Sequence, residues 1–255
     1  LYPPDPLPPD YHRRTDSGKV LNKTPIGMAI LESPGVWLGT IWAGGAGVPQ
    51  DGVSWPYQVA VGGLLIVCYV TGWWLLQRAW LRLGVPAGLA LLLWVAVMGA
   101  TNLLHYAVKE PAMTHGASFA VMAVLLYVIS GWSREAADRW GRGMVMGAML
   151  GLLILLRTAN LALLPFLLAL LAGRCTLRTR GVLGALLGCM ALVGLQVAAT
   201  YALWGRPGYA IYPDESFGSE WRGVWLGLVS HRHGLFVHHP WYLVLVAANV
   251  AVLWG

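Results

Sequence analysis

Lys109 and Glu110 stand between His105 and His115 in a polar island, residues 101–119, enclosed by two long apolar runs. An ammonium, a carboxylate and two imidazoles can bind anions and move protons. Pro111 lacks a backbone N–H and disfavours helix at Glu110, so a turn is expected over 105–113. A second group interrupts the apolar run 143–172, where Arg157 and Asn160 break it near its middle. A guanidinium at that depth is costly unless it meets an acid or a phosphate, or snorkels to the headgroups. A third group is Arg232 between His231 and His233, followed by His238 and His239. It fits a phosphate at a membrane surface, with interfacial anchoring as the competing use. These histidines have no further ligand at fixed spacing, so no metal site is expected. Between the second and third groups, Tyr209, Tyr212, Trp221 and Trp225 accompany Asp214, Glu215 and Glu220. Such a mixture suits a sugar ring, although aromatic belts at membrane interfaces look alike.

The elements that must hold these groups are transmembrane helices. Hydrophobic residues make up 57% of the chain and charged residues 11%, against about 25% charged in soluble domains. Clean apolar runs fall at 57–77, 86–104, 114–131, 182–204 and 235–254, each near the length that crosses a bilayer core. The run 143–172 reads as two short helices folded back at Arg157, since one straight span would bury a charge. The expected fold is all-α: an extracytoplasmic loop over 1–56 containing an interfacial helix, then a polytopic bundle over 57–255. It makes about seven crossings, with an outer loop at 205–234. Within 25–46, Glu32 and Pro34 favour a helix lying flat on the outer surface over a span.

Basic residues orient the bundle. Arg78, Arg82, Arg134, Arg139, Arg142, Arg174, Arg178 and Arg180, with Glu135 and Asp138, fill the loops assigned to the cytoplasm and carry the whole net charge of +6. A nucleic-acid role therefore has no motive. Every histidine and the remaining acids fall outside, which points to an extracytoplasmic site. Cys68 and Cys189 lie in apolar runs and Cys175 in a basic loop, so no disulfide or zinc spacing exists. Phosphate-loop, dinucleotide and serine-elbow motifs are absent, as is an inverted repeat of the transporter kind.

Four stretches resemble, in order, motifs of a group of bacterial polytopic membrane proteins. Residues 20–34, Val-Leu-Asn-Lys-Thr-Pro-Ile-Gly-Met-Ala-Ile-Leu-Glu-Ser-Pro, resemble N-K-Y-P-I-G-P-A-L-L-W-A-P. Residues 110–119, Glu-Pro-Ala-Met-Thr-His-Gly-Ala-Ser-Phe, are similar to E-P-S-M-S-H-A-Y-S-F. Arg157-Thr-Ala-Asn160 resembles R-P-Q-N, and Ser-His-Arg-His-Gly-Leu-Phe at 230–236 resembles S-P-R-H-G-L-F. The group is similar to the GT-C glycosyltransferases, the class of the protein mannosyltransferases and lipid A aminoarabinose transferases.

The resemblance implies a membrane glycosyltransferase in the bacterial inner membrane. It would move a sugar from a polyprenyl-phosphate donor to an extracytoplasmic acceptor. Lys23, Arg157 and Arg232 would neutralise the leaving phosphate, and Glu110, His115, Asn160 and His233 would bind sugar or phosphate. The catalytic Asp of such enzymes would fall upstream of Leu1, so the expectation is a piece of a longer protein. Gly116 and Ala117 replace the Ala-Tyr of the second motif. No cofactor is required, with a divalent cation left open. Two other functions compete: a structural subunit of a membrane complex, and a lipid-linked-sugar carrier. A carrier should line both membrane halves with polar residues, which these spans do not.

Overall fold

The computed structural model describes residues 25–99, 101–132, 139–164, 167, 179–204, 225, 228 and 229. Among them the chain is all-helical: α1 (Gly27–Gly45), α2 (Trp55–Arg82), α3 (Ala87–Gly99), α4 (Leu103–Lys109), α5 (Thr114–Ser130), α6 (Trp140–Leu156), a 3-10 segment (Thr158–Leu163) and α7 (Thr179–Trp204). The expected span at 235–254, the N-terminal segment with Lys23, the Arg232–His233 stretch and the second short helix beyond residue 167 lie outside the described residues.

α2, at 28 residues, and α7 are each long and apolar enough to cross a membrane, and α3 with α4 make a third candidate, bent by 54°. α5 and α6 are apolar helices of 17 residues, at the short end of what spans a bilayer. Outward-facing side chains such as Val67, Val70, Leu92, Leu186 and Met190 are large and apolar. Burial therefore cannot be the whole account of their hydrophobicity, whereas lipid contact accounts for it.

Pro34 lies inside α1, where its ring removes the N–H that would bond the Ile30 carbonyl. The Ser33 hydroxyl donates to that carbonyl at 2.9 Å, and the helix continues. α1 turns back at residues 46–54 and packs antiparallel along the first half of α2: Gly39 against Tyr57, Gly35 against Val61. The helix expected over 25–46 is thus one arm of a hairpin. Its outward face carries Val36, Trp37, Leu38, Ile41 and Trp42. The turn is set by Asp51, whose Oδ1 accepts from the backbone N–H groups of Val53 at 2.9 Å and Ser54 at 2.7 Å. Those two bonds hold the Asp51 carboxyl below the usual carboxylate range.

The plain turn expected over 105–113 is corrected. The chain leaves α3 through Thr101, whose hydroxyl donates to Val97 O at 2.6 Å and accepts from Leu103 N at 3.2 Å. This starts the short helix α4, which Pro111 ends at Lys109. Only Glu110–Met113 remain as the link to α5, closed by Met113 N donating to Glu110 O at 2.9 Å.

α5 runs parallel to the second half of α2, with Gly72 against Ala120 and Arg82 reaching Tyr127. α6 returns antiparallel, its end meeting the start of α5. α7 then runs parallel to α6 in backbone contact. A Cβ at Gly143 or Gly147 would strike the carbonyls of Gly181 or Ala185, and one at Gly184 or Gly188 those of Trp140 or Met144. Glycine allows this approach where any side chain would separate the helices. Directions and contacts together segregate charge along the bundle. Arg78, Arg82, Arg139, Arg142 and Arg180 share one end, while His115, Arg157 and Asn160 gather toward the other.

Candidate functional site

The site begins where α6 stops. Arg157 is extended, with φ −157° and ψ 126°, and the chain continues as a 3-10 turn. Two bonds hold this break. Arg157 N donates to Leu153 O at 3.1 Å, and the Asn160 side-chain amide donates to the same carbonyl at 2.8 Å. The Asn160 amide also donates to Ser118 Oγ on α5, at 3.0 Å. Asn160 was expected to bind substrate. Its two side-chain N–H donors bond within the protein, where they tie the break to α5.

Held this way, Arg157 projects onto the first turn of α5. One guanidinium nitrogen lies 2.6 Å from Nδ1 and 3.0 Å from Nε2 of His115. Arginine only donates, so the ring nitrogen that accepts must carry a lone pair. A neutral imidazole has one such nitrogen, its other nitrogen carrying N–H, so only one of the two contacts can be a hydrogen bond. His115 is fixed a second time, stacked on Tyr106 of α4 at 4.6 Å between ring centres and 4° between planes. Of the five guanidinium N–H groups, those not facing His115 meet no carboxylate among the described residues. The acid or phosphate expected beside Arg157 is therefore not a described side chain; an imidazole is there.

Glu110 ends α4, its N–H donating to Tyr106 O at 3.1 Å, and its carboxylate is exposed and not engaged with Arg157 or His115. The structure thus brings together His115, Arg157 and Asn160 from the expected set and leaves Glu110 in the adjoining turn. Lys23, Arg232 and His233 lie outside the described residues. The Cys68 and Cys189 thiols are free, and no cluster of three metal-ligating side chains occurs among the described residues.

Tyr106, Ser118, Tyr69 and Gly116 were not expected at the site. Tyr69 of α2 is fully buried with its ring over Gly116, in the space a Cβ there would occupy. Its hydroxyl rests on the Gly116 backbone without a well-formed hydrogen bond. The contact also sets the depth of the site. Tyr69 stands about midway along α2, roughly 20 Å from either end at 1.5 Å per residue. The polar cluster was expected at a membrane face. It caps the short helices α5 and α6 and stands level with the middle of α2, beneath the α1–α2 hairpin.

On the described residues the class is that of an all-helical chain with two to three candidate membrane-spanning helices. No protein-family model, no curated protein and no solved structure matches it.

Proposed function

We propose that this chain is a membrane glycosyltransferase of the GT-C kind, moving a sugar from a polyprenyl-phosphate donor to an extracytoplasmic acceptor. The observation that carries this reading is the contact between Arg157 and His115. It joins two of the four stretches whose motifs carry the resemblance, although they lie 42 residues apart in the chain. The gathering of arginines at the opposite end of the bundle supports an extracytoplasmic site.

In this mechanism the acceptor hydroxyl attacks the anomeric carbon, its proton passes to a carboxylate, and the sugar–phosphate bond breaks. The electron pair leaves with the lipid phosphate. Arg157, half-buried and held by Asn160 and His115, stabilises the charge that develops there. Lys23 and Arg232 are the further cations of the proposal. No described carboxylate stands at Arg157 or His115, and that observation favours the second reading, a structural subunit of a membrane complex. Equilibrium binding of polyprenyl phosphate to the purified chain in lipid nanodiscs separates the two. Saturable binding, relieved by a polyprenyl-phosphate sugar but not by a neutral polyprenol, supports the transferase. No saturable binding supports the subunit.

A further inference from the structure

A second cationic site lies at the opposite end of the bundle. Trp74, Arg78, Leu81 and Arg82 of α2, with Tyr127 of α5, line a cleft of about 470 Å³. Arg82 is fixed there by three contacts. Its guanidinium covers the Tyr127 ring at 3.8 Å, donates to the Tyr127 hydroxyl at 2.6 Å and donates to the Tyr127 carbonyl at 3.3 Å. Gly131, just past the end of α5, leaves the room for it. Arg78, one turn earlier on α2, lies over the Trp74 ring at 5.5 Å. Its guanidinium makes no hydrogen bond or ion pair among the described residues.

We propose that this cleft binds the phosphate of an anionic phospholipid from the surrounding leaflet. Three features select that ligand. Two guanidiniums about 6 Å apart along one helix face can flank a single phosphodiester, and each is already oriented by an aromatic ring. Leu81 and Trp74 continue from the cleft onto the apolar outer face of α2, where Val67 and Val70 are exposed. An acyl chain finds there the surface that a soluble phosphate would not use. The neighbouring described charges at this end, Arg139, Arg142 and Arg180, are all positive, so the local field favours an anion. The site is independent of the transferase reading.

Native mass spectrometry of the purified chain tests it, with phosphatidylglycerol, phosphatidylcholine and inorganic phosphate as separate probes. The expected result is a phosphatidylglycerol adduct favoured over phosphatidylcholine by about thirtyfold, since each basic side chain near anionic lipid contributes roughly a factor of five. Inorganic phosphate should not compete at concentrations that saturate the lipid. Arg78→Gln should remove about a factor of five and Arg78→Gln with Arg82→Gln the whole preference. Arg139→Gln with Arg142→Gln, which contribute only to the field at this end, should cost less than Arg78→Gln alone. Arg82 also holds α2 to α5 through Tyr127, so exposed Arg78 is the deciding single variant. An unchanged preference in Arg78→Gln overturns the proposal, as does equal loss in the Arg139→Gln with Arg142→Gln pair. Competition by inorganic phosphate would make the site a free-anion site and also overturn it. So would phosphatidylglycerol binding that emerges only after Glu135→Gln with Asp138→Asn, because the chain's own acids would then hold the arginines.

Discussion

One guanidinium nitrogen of Arg157 lies 2.6 Å from Nδ1 of His115, across the meeting point of α6 and α5. The partner is a ring that must accept, not a carboxylate that would cancel the charge. The cation thus keeps its charge and most of its donors while its position is fixed, the state in which an arginine binds a phosphate tightly.

Asn160 is the residue that holds Arg157 in place. Replacing it with alanine removes one of the two bonds to the Leu153 carbonyl and cuts the link to Ser118. Asn160→Ala should weaken polyprenyl-phosphate binding by about tenfold or less, consistent with the net worth of neutral hydrogen bonds. Ser118→Ala should produce part of that loss, and the double variant should fall short of the sum. Nanodisc binding isotherms for the single and double variants check this. Additive losses would separate Asn160 from the α5 link.

Gly116 is required by Tyr69. An alanine Cβ there would overlap the Tyr69 ring, and forced overpacking costs about 1–3 kcal/mol. Gly116→Ala should lower the thermal midpoint in detergent, and adding Tyr69→Leu should recover part of the loss. A Gly116→Ala protein as stable as the parent would contradict the packing of α2 on α5.

The contact of α6 with α7 makes a similar demand. Gly147→Ala should destabilise by about 1–3 kcal/mol, since its Cβ would strike the Ala185 carbonyl. Gly141 on the same helix has nothing within 4 Å of a built Cβ, and Gly141→Ala should be neutral or slightly stabilising, given the helix propensities. Thermal unfolding of the pair in one detergent gives the comparison. Equal effects would argue against backbone contact between the helices.

Asp51 makes the hairpin turn sensitive to acid. Its carboxyl is held below its ordinary value by the N–H groups of Val53 and Ser54. The stability it contributes is therefore fully present above the unfolded-state value, near pH 4, and is lost as pH falls through the lowered folded value. Asp51→Ala should lower the thermal midpoint near neutrality and lose that effect under strong acid. Midpoints of parent and variant across the acid range show whether the gap closes as predicted.

Much of this arrangement was legible in the chain. The apolar runs near 57–77, 114–131 and 182–204 coincide with α2, α5 and α7 because hydropathy is a property of composition alone. The break at Arg157 was visible because a charge in an apolar run has few tolerable conformations. α4 was hidden, since Leu103–Lys109 is short and Pro111 advertises only where helix must stop. Tyr69 and Gly116 were invisible as a pair, because nothing in either residue's neighbourhood names a partner 47 positions away. The level of the site along α2 was not legible for a related reason. It depends on how far α2 extends past α5, which is a matter of helix register and not of pattern.

The central claim is that Arg157 serves transfer from a lipid phosphate. It is tested most directly by the release of polyprenyl phosphate from a labelled polyprenyl-phosphate sugar, in membranes containing the parent chain or Arg157→Ala. The account predicts release by the parent and a loss of about 10- to 100-fold in the variant, the range of a charge-assisted bond, with both proteins inserted in equal amount. Equal release from both membranes, or none above background from the parent, would contradict it.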